Sequence, residues 1–396
     1  MLERMTIENF RSIEKAEVKL APITILFGPT AAGKSTLLYA ALTFRNFILN
    51  PNQAIDGLFN LGFQNLGGHE ACVFNHDTSR EVVVGIGYRH NATDGQYELR
   101  LGKAAGGLSL ATDLLKMSAE VSIPYALNQS FAFPLKQSED EFTVTWNGIS
   151  SSVAPKTPTA STQAKAQQLS TLLNASVEAV RRIDVIPHRR GFFKPSYSPA
   201  ALSPTPTNED EVATIIINDM NLAPRVSACT EEIFGRDFRL HVPPGTAMAY
   251  FQTTEKKARM PVNLVNDGFG VNQVIYMLAK IQRPDVDTIL IEEPEVHLHP
   301  TVISRLARVL CSLVKDEGKQ LVVTTHSEQF IFAVLACVKE HVFDAADLAC
   351  YHVTRELRKS TFDQQLVHDN GQIEGGLSSF IEAETEDLRK FLSRKP

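Results

Sequence analysis

The chain has 396 residues, of which 43% are hydrophobic and 21% are charged, and its formal net charge is −6. This is the composition of an ordinary globular protein, and the negative balance excludes a uniformly basic nucleic-acid-binding surface while leaving local basic patches open. We expect a cytoplasmic protein with no membrane partner. No apolar run approaches the ~20 residues that span a bilayer, the start has no signal-like core, and the five cysteines have no CxxC spacing.

The first predicted elements are a strand pair over residues 5–20 and a short buried strand at Ile23–Phe27. A helix is predicted from residue 34 to about residue 46. Alternating segments over residues 81–102 predict antiparallel strands that are joined by a turn at Asp94–Gly95. The chain is therefore expected to begin as a strand, loop and helix beside an antiparallel sheet.

The middle of the chain is predicted to hold helices at Gln163–Arg182 and Glu211–Phe234, each preceded by an exposed loop rich in Pro, Ser and Thr. The last third has two short apolar runs, Thr288–Ile291 and Gln320–Thr324, separated by a predicted helix across Val302–Val314. Strand, helix and strand in this order predict parallel neighbours in a central sheet of an α/β fold.

One nine-residue segment, GPTAAGKST, matches the pattern G-x-x-x-x-G-K-[ST] in full, after a buried strand and before a helix. Its glycines let backbone amides point inward, and these amides form an anion nest with the helix N-terminus. Lys34 is expected to reach the β- and γ-phosphates, and Ser35 to offer its hydroxyl to Mg²⁺. The predicted nucleotide-binding residues of this phosphate loop are Gly28, Pro29, Thr30, Ala31, Ala32, Gly33, Lys34, Ser35 and Thr36.

Two glutamates follow the first of the late strands, at the sheet edge where α/β folds bind ligands. Glu292 is placed to hold Mg²⁺ opposite Ser35. Glu293 points differently, because side chains alternate along a strand, and its carboxylate can orient a water for attack on a γ-phosphate. The alternative is that these acids cap the next helix or face solvent. Glu295, beyond Pro294, is expected to be solvated or capping.

The surrounding stretch, IEEPEVHLHP, also permits a zinc site, because Glu and His are common zinc ligands. Taken with the phosphate loop, the pattern favours an oxygen-liganded Mg²⁺ at the glutamates. His297 and His299 are then expected to contact a second protomer, and a transition-metal site stays as the alternative.

A further histidine, His326, follows the last of these strands in the sequence TTHS. It lies at the same predicted sheet edge as both phosphate motifs, so it is placed to contact a γ-phosphate. The alternative is an exposed histidine beside Ser327 acting as the N-cap of the next helix.

Together these motifs resemble the ABC-type ATPases of the RecF/SMC-like branch, and EEPEVHLHP and TTHS are similar to the closing motifs of OLD-type (overcoming lysogenization defect) ATPases. The similarity covers about residues 1–87 and 260–380, and VIPHRRGF resembles a family element that enters the second lobe. It implies an α/β P-loop NTPase, an ABC ATPase head, with a mixed sheet, an antiparallel β subdomain and a mixed α/β insertion, without a long coiled coil. The implied parts are an N-terminal lobe at 1–100, an insertion at 101–255 and a C-terminal lobe at 256–396.

The resemblance also implies roles for single residues. Lys34 and Ser35 bind phosphate and Mg²⁺, Glu292 supports the metal, Glu293 is the catalytic carboxylate and His326 is the switch histidine. The segment NDGFGVN departs from the usual signature, which has a serine and two adjacent glycines. In the same subunit, Arg11 is implied to reach the nucleotide, and Gln64 is a guess for the Q-loop glutamine. From the signature-like segment of a second subunit, the residues implied at the nucleotide are Asp267, Gly268, Gly270 and Asn272.

The implied activity is ATP hydrolysis with Mg²⁺ in a head-to-tail homodimer, where ATP closes the dimer and hydrolysis releases it. The chain has no glycine-flanked acid followed by D-x-D, the pattern of a Toprim nuclease, so it is not expected to be a nuclease by itself. The expected partner is an effector protein, such as a nuclease or toxin, or else DNA, in anti-phage defence or DNA maintenance.

DNA would need a basic surface, for which ordinary solvated charge is the alternative explanation. The candidate basic residues are Arg181, Arg182, His188, Arg189, Arg190, Lys194, Lys256, Lys257 and Arg259. Two other hypotheses are a non-catalytic, ATP-gated scaffold that sequesters an effector, and a nucleotide-binding subunit of an ABC transporter. The weak signature and the opening IENFRS count against the transporter.

Overall fold

The computed structural model describes residues 1–90, 93–103, 105–125, 130–255 and 259–375. Lys256 and Lys257 of the predicted basic group lie outside these residues. No helix within the described ranges combines the length and apolar character that crossing a bilayer requires.

The described chain alternates between stretches of strands and stretches of helices. Its strands are β1 Leu2–Phe10, β2 Ile13–Lys19, β3 Ile23–Phe27, β4 Val82–His90, β5 Thr93–Leu101, β6 Ala105–Thr112, β7 Lys116–Ser122, β8 Phe131–Gln137, β9 Asp140–Trp146, β10 Ser151–Pro155, β11 Ile183–Ile186, β12 Arg236–His241, β13 Tyr250–Glu255, β14 Pro261–Asn263, β15 Thr288–Glu292, β16 Gln320–Thr325, β17 Leu348–Glu356 and β18 Lys359–Gln365. Its α-helices are α1 Lys34–Leu49, α2 His69–Cys72, α3 Ala160–Arg181, α4 Glu209–Asn218, α5 Leu222–Phe234, α6 Phe269–Ile281, α7 Pro300–Glu317 and α8 Glu328–Lys339.

A six-stranded mixed sheet in the order β11-β15-β16-β3-β17-β18 forms the centre of the molecule. Its first five strands run parallel, and β18 returns antiparallel to β17. Every residue of β3, β15 and β16 is buried, as expected for short apolar strands that are covered on both faces. The predicted buried strands are confirmed. Because parallel strands end at one edge, the phosphate loop, the acidic pair and His326 meet there.

A second, antiparallel sheet in the order β2-β1-β4-β5-β6-β7 packs with α1 and α3 in one hydrophobic core. It confirms the predicted strand pair. The predicted turn at Asp94–Gly95 was wrong, because both residues continue the ladder inside β5, opposite Arg89 and Tyr88 of β4. The sheet runs to Ser122, beyond the expected lobe boundary at residue 100. Strand β11, inside the expected insertion, pairs in parallel with β15 and is fully buried, so it belongs to the central sheet.

Helices of the middle region differ from the prediction at one place. The helix expected over Glu211–Phe234 is two helices, α4 and α5, that are interrupted at Asp219–Asn221. Pro224 explains the interruption, because its ring clashes with the carbonyl four residues earlier and it has no N–H to donate. Within the described ranges the longest helix is α3, with 22 residues, so this part of the chain holds no coiled-coil arm.

The second Pro/Ser/Thr-rich segment was expected to be an exposed loop, but its C-terminal part is bonded to the core. Arg45 of α1 donates to the carbonyl of Pro204 at 2.9 Å and also contacts Thr205. The fully buried ammonium of Lys280 donates to the carbonyl of Pro206 and lies 3.1 Å from Asp184. Buried charges therefore hold this segment against the central sheet.

Candidate functional site

A cavity of about 670 Å³ lies at the carboxyl edge of the central sheet. The structure brings together there most of the residues that the sequence predicted for the nucleotide. The predicted residues that line the cavity are Arg11, Thr30, Ala31, Gly33, Lys34, Ser35, Thr36, Glu293 and His326.

The phosphate loop has the backbone that its glycines allow. Gly28 and Gly33 have φ values of 137° and 107°, in the region that L side chains rarely adopt. A Cβ atom on Gly28 would lie 2.2 Å from the carbonyl oxygen of Val353, and one on Gly33 would lie 2.3 Å from Oγ of Ser360. Helix α1 starts at Lys34 without a side-chain cap, so its first amides are free of side-chain acceptors and face the cavity as an anion site.

Lys34 points back over its own loop. Its ammonium donates to the carbonyls of Gly28 (2.8 Å) and Pro29 (2.9 Å) and lies 3.3 Å from Nδ1 of His326. Burial lowers the pKa of Lys34 to about 8, and the charge of Glu293 partly counters this shift. The lysine is therefore a cation at the mouth of the loop, within reach of an anion bound there.

Glu293 stands between two histidines. Its Oε1 lies 3.3 Å from Nε2 of His326, and its Oε2 lies 3.2 Å from Nδ1 of His188. Burial and the nearby Lys34 lower the pKa of His326, so the imidazole is neutral near pH 7. Since an ammonium can only donate, Nδ1 of this neutral ring accepts from Lys34 and Nε2–H donates to Glu293. His326 thus joins Lys34 of the phosphate loop to the carboxylate of Glu293.

The second glutamate, Glu292, is nearly buried and points elsewhere. Its Oε1 accepts from the Tyr39 hydroxyl at 2.9 Å, and its Oε2 accepts from the amide of His188 at 3.2 Å. Burial raises the pKa of Tyr39, and the nearby hydroxyl of Ser35 partly counters this shift. Tyr39 therefore stands between the two expected metal ligands. Ser35 and Glu292 offer only oxygen donors, and this set fits Mg²⁺, which prefers hard oxygen ligands.

Glu295 was expected to be solvated or capping, and this was wrong. Its Oε1 accepts from Oγ1 of Thr325 at 2.5 Å and from the amide of His326 at 3.3 Å, while its Oε2 is buried without a hydrogen-bond partner in the described chain. Burial raises the pKa of this carboxyl. The chain folds back after Pro294, which directs Glu295 under the end of β16 and fixes the backbone beside His326.

The signature-like segment begins helix α6, away from the cavity of its own subunit. Gly268 is exposed at the helix N-cap, which no side chain caps, and a Cβ there would meet nothing closer than 4.0 Å. Gly270 is crowded, because a Cβ would lie 2.8 Å from the carbonyl oxygen of His297. The amide of Gly268 itself donates to Oδ1 of Asp267 at 2.8 Å, so it is the amides following Gly268 that can serve an anion of a neighbouring molecule.

Two side chains of this segment face inward, which corrects their expected contact with the nucleotide of a second subunit. Asn272 is 3% exposed and bonds both the amide (2.6 Å) and the carbonyl (2.7 Å) of Phe192. The carboxylate of Asp267 accepts from Arg236 and Thr253. These polar groups are needed inside the subunit, because Phe192 and Arg236 would otherwise lose their partners.

The two histidines after the acidic pair have separate surroundings. His299 is the N-cap of α7, where its Nδ1 accepts from the amide of Thr301. The exposed His297 packs its ring 4.9 Å from that of Phe269. Over the part of the chain that the structure describes, no group of three or more His, Cys, Asp or Glu side chains is arranged to hold a metal ion. This surface therefore gives the zinc alternative no support.

Among the candidate DNA-binding residues that the structure describes, three are buried or paired with an acid. Arg190 is 2% exposed, Arg182 makes a bidentate pair with Asp287, and Lys194 pairs with Asp210. The prediction that Arg190 could touch DNA was wrong, because its guanidinium is buried behind the acidic strand end.

Several residues of the cavity were missed by the sequence analysis, namely Tyr39, Asn75, His76, Arg355 and Arg358. Tyr39 lies four residues after Ser35, and this spacing on one helix face was a usable signal. The two arginines come from the hairpin of β17 and β18, and Arg355 also donates to the carbonyl of Ala31 at 3.3 Å.

The guessed Q-loop glutamine, Gln64, does not reach the cavity. Its amide donates to the neighbouring carbonyl of Asn65 at the surface.

Comparisons with known proteins place the chain among ATPases. A family model described as "AAA domain, putative AbiEii toxin, Type IV TA system" matches residues 23–332. An OLD nuclease from Thermus scotoductus (strain ATCC 700910 / SA-01) is 22% identical over 381 residues, covering 92% of this chain. The chain spans 66% of the length of that curated relative.

Similar solved structures are head domains of SMC proteins. The head domain from Thermotoga maritima is 11% identical with a TM-score of 0.42, covering 91% of this chain and 97% of its own. The head domain with an extended coiled coil, bound to the C-terminal domain of ScpA derived from Pyrococcus furiosus, is 10% identical with a TM-score of 0.47, and covers 99% of both chains.

Proposed function

Because the chain belongs to this AAA-domain family, within the RecF/SMC/OLD-like branch of ATPases, we propose that it is a Mg²⁺-dependent ATPase that works as a dimerising switch. One observation carries the proposal: the complete phosphate loop and the carboxylate of Glu293 meet in one cavity, linked by His326. A phosphate loop binds the triphosphate, and a carboxylate next to it can orient the attacking water.

Different residues at the site are proposed to bind the phosphates, to activate water and to hold the metal ion. The amides at the start of α1 and the ammonium of Lys34 bind the β- and γ-phosphates, and Arg355 and Arg358, which also line the cavity, add positive charge. Glu293 orients water and accepts its proton. Ser35 and Glu292 would hold Mg²⁺, which when bound neutralises charge on the phosphate oxygens.

We propose further that the nucleotide is shared between two copies of the chain. Gly268 and Gly270 do not line the cavity of their own subunit. The amide of Gly268 donates to Asp267, but the amides that follow it at this exposed helix start have no side-chain cap and are suited to phosphate. Facing heads would place this start over the phosphate loop of the partner, so ATP would join two subunits at two equivalent sites.

Mixing two inactive variants tests the shared site. Lys34→Ala removes the phosphate-binding lysine, and Gly268→Asp sets a carboxylate at the helix start that repels phosphate. Position 268 is chosen because the crowded Gly270 would disturb its own subunit. In a mixed dimer one site is intact, so we expect ATPase activity to return. A mixture as inactive as its components would contradict the shared site.

The switch is proposed to control an effector protein, such as a nuclease or toxin, in anti-phage defence, with DNA maintenance as the second setting. The pairing of Arg182 and Lys194 and the burial of Arg190 favour a protein partner over DNA. A titration with duplex and single-stranded DNA, with and without ATP, tests this choice. We expect no binding at moderate salt, and a steep salt dependence would favour DNA instead.

A further inference from the structure

The segment Pro187–Arg190, the centre of VIPHRRGF, lies against the acidic end of β15. The guanidinium of Arg190 is 2% exposed and donates to three carbonyl oxygens. Two of them belong to Glu292 and Glu293, each at 2.6 Å, and the third belongs to Pro187 at 3.1 Å. Arg190 therefore ties the loop to the peptide groups of both glutamates, since charge-assisted hydrogen bonds of this length are strong.

The backbone of Glu293 needs such support. Its φ is 47°, in the left-handed region, which is unfavourable for a residue with a Cβ atom. The amide of Glu293 donates to the carbonyl of Thr324 at 2.9 Å, and its carbonyl accepts from Arg190. Partners on both sides of the residue thus hold the conformation that turns this carboxylate into the cavity, away from that of Glu292.

His188 touches both carboxylates at once. Its amide donates to Oε2 of Glu292 at 3.2 Å, and its Nδ1 lies 3.2 Å from Oε2 of Glu293. Oε1 of Glu293 is the oxygen that faces His326, at 3.3 Å. The carboxylate of Glu293 is therefore fixed at both oxygens, by one histidine from the sheet edge and by one from the Pro187–Arg190 segment.

We propose that the Pro187–Arg190 segment positions the carboxylate of Glu293 for hydrolysis, with His188 holding its Oε2 and Arg190 holding its backbone. The inference rests on the proposed ATPase function and adds two positioning residues to it. Neither His188 nor Arg190 lines the cavity, so neither is expected to bind the nucleotide. Their loss should therefore slow the hydrolytic step and leave the affinity for ATP unchanged.

A matched pair of variants at His188 tests the proposal. The side chain is 59% exposed, so its replacement should not disturb folding. His188→Asn keeps a nitrogen donor near the position of Nδ1, whereas His188→Ala removes it. We expect His188→Ala to lower kcat about tenfold or more, as misplaced catalytic groups do, with an unchanged Kd for a fluorescent ATP analogue. His188→Asn should keep most of the activity.

A second comparison asks whether His188 acts through Glu293. In a Glu293→Gln background, His188→Ala should lower the residual rate no further, because the group that it positions is already gone. A further tenfold loss in that background would overturn the proposal. So would a His188→Ala variant whose kcat equals or exceeds that of the unchanged protein.

Arg190→Lys and Arg190→Met extend the test to the backbone contacts. Lysine keeps a buried cation that can donate to the carbonyls of Glu292 and Glu293, so it should rescue part of the kcat that methionine loses. If the protein without substitutions has no ATPase activity, the proposed function is contradicted, and this inference with it. An active protein whose His188→Ala variant is equally active contradicts the inference alone.

Discussion

The ammonium of Lys34 lies 3.3 Å from Nδ1 of His326, so the lysine proposed to bind phosphate and the histidine proposed as the switch touch within one subunit. Nε2 of the same ring lies 3.3 Å from Oε1 of Glu293. A γ-phosphate that attracts Lys34 would therefore also shift the imidazole of His326, which contacts the carboxylate of Glu293. In the proposed function, one imidazole therefore links nucleotide binding to hydrolysis.

His326→Ala should lower kcat about a hundredfold, within the range for a group that assists proton transfer or its positioning. Nucleotide affinity should change little, because the amides of α1 and Lys34 remain. Steady-state phosphate release and binding of a fluorescent ATP analogue measure the two quantities separately. A variant that loses affinity and rate in equal proportion would mean that His326 serves mainly to bind.

Lys34→Ala and Glu293→Gln should separate binding from chemistry. The alanine variant loses the cation that faces the phosphates, so its Kd for ATP should rise at least tenfold. The glutamine variant keeps the shape of the side chain and loses its basicity, so it should bind ATP normally and hydrolyse it about 10²–10⁴-fold more slowly. Size-exclusion chromatography with ATP should then find the glutamine variant as a stable dimer, and a monomer would count against ATP-driven closure.

The Arg355→Ala, Arg358→Ala double variant should weaken ATP binding about tenfold, more strongly at low salt, because two cations leave the wall of the cavity. The matched control is Arg239→Ala, which removes an exposed arginine from β12 that pairs with Asp237. Titration at two salt concentrations measures both variants. Equal affinities for the double variant and the control would remove these arginines from the site.

Asn272→Ala should act on stability rather than on the nucleotide. It leaves the buried amide and carbonyl of Phe192 without partners, and we expect a loss of about 2 kcal/mol in the free energy of unfolding. Asn52→Ala, at an exposed position, is the control. Urea unfolding measures the loss. An Asn272→Ala protein of normal stability but without ATP-dependent dimers would restore the contact with a second subunit that the sequence predicted.

Lys280 gives a prediction about pH. Burial lowers its pKa to about 8, although Asp184 lies 3.1 Å away, and Arg283 and Arg45 on its other sides oppose its charge. Between pH 8 and the ordinary value of 10.5 the unfolded chain binds more protons than the folded chain, so unfolding becomes harder as the pH rises. Below about pH 8 Lys280 is protonated in both the folded and the unfolded chain, so its contribution to stability no longer changes with pH.

The measurement compares the unchanged protein with Lys280→Met in urea at pH 7, 8 and 9.5. The unchanged protein should gain stability relative to the variant above pH 8, toward a full difference on the order of 3 kcal/mol. Lys103→Met, at an exposed position, controls for the loss of a surface lysine. A constant difference across this range would mean that Lys280 keeps its proton throughout.

Local sequence patterns predicted the elements at the carboxyl edge of the central sheet correctly. The phosphate loop is a continuous motif between a strand and a helix, and TILI and QLVVT are short apolar runs. Their geometry follows from the residues themselves, so β3, α1, β15 and β16 came out close to their predicted bounds.

Such local patterns could not predict contacts between distant parts of the chain. Glu295 is covered because the chain folds back beneath β16, and Arg355 reaches the cavity only because β17 pairs with β3. For Asn272 the motif gave the position, but the direction of the side chain depends on Phe192, 80 positions away. Long-range packing, rather than local propensity, decides these cases.

Ser360 connects the two ends of the described chain, since its hydroxyl donates to the carbonyl of Ala32 at 2.6 Å, across 328 positions. The phosphate-loop strand β3 likewise has β16 and β17 as its neighbours. A ribosome adds roughly 5–20 residues per second, so the loop leaves the ribosome tens of seconds before the strands that complete it. The nascent chain therefore carries its nucleotide motif long before it gains a place to bind ATP, which is complete only near residue 360. A complete site can therefore form only after both lobes have been synthesised.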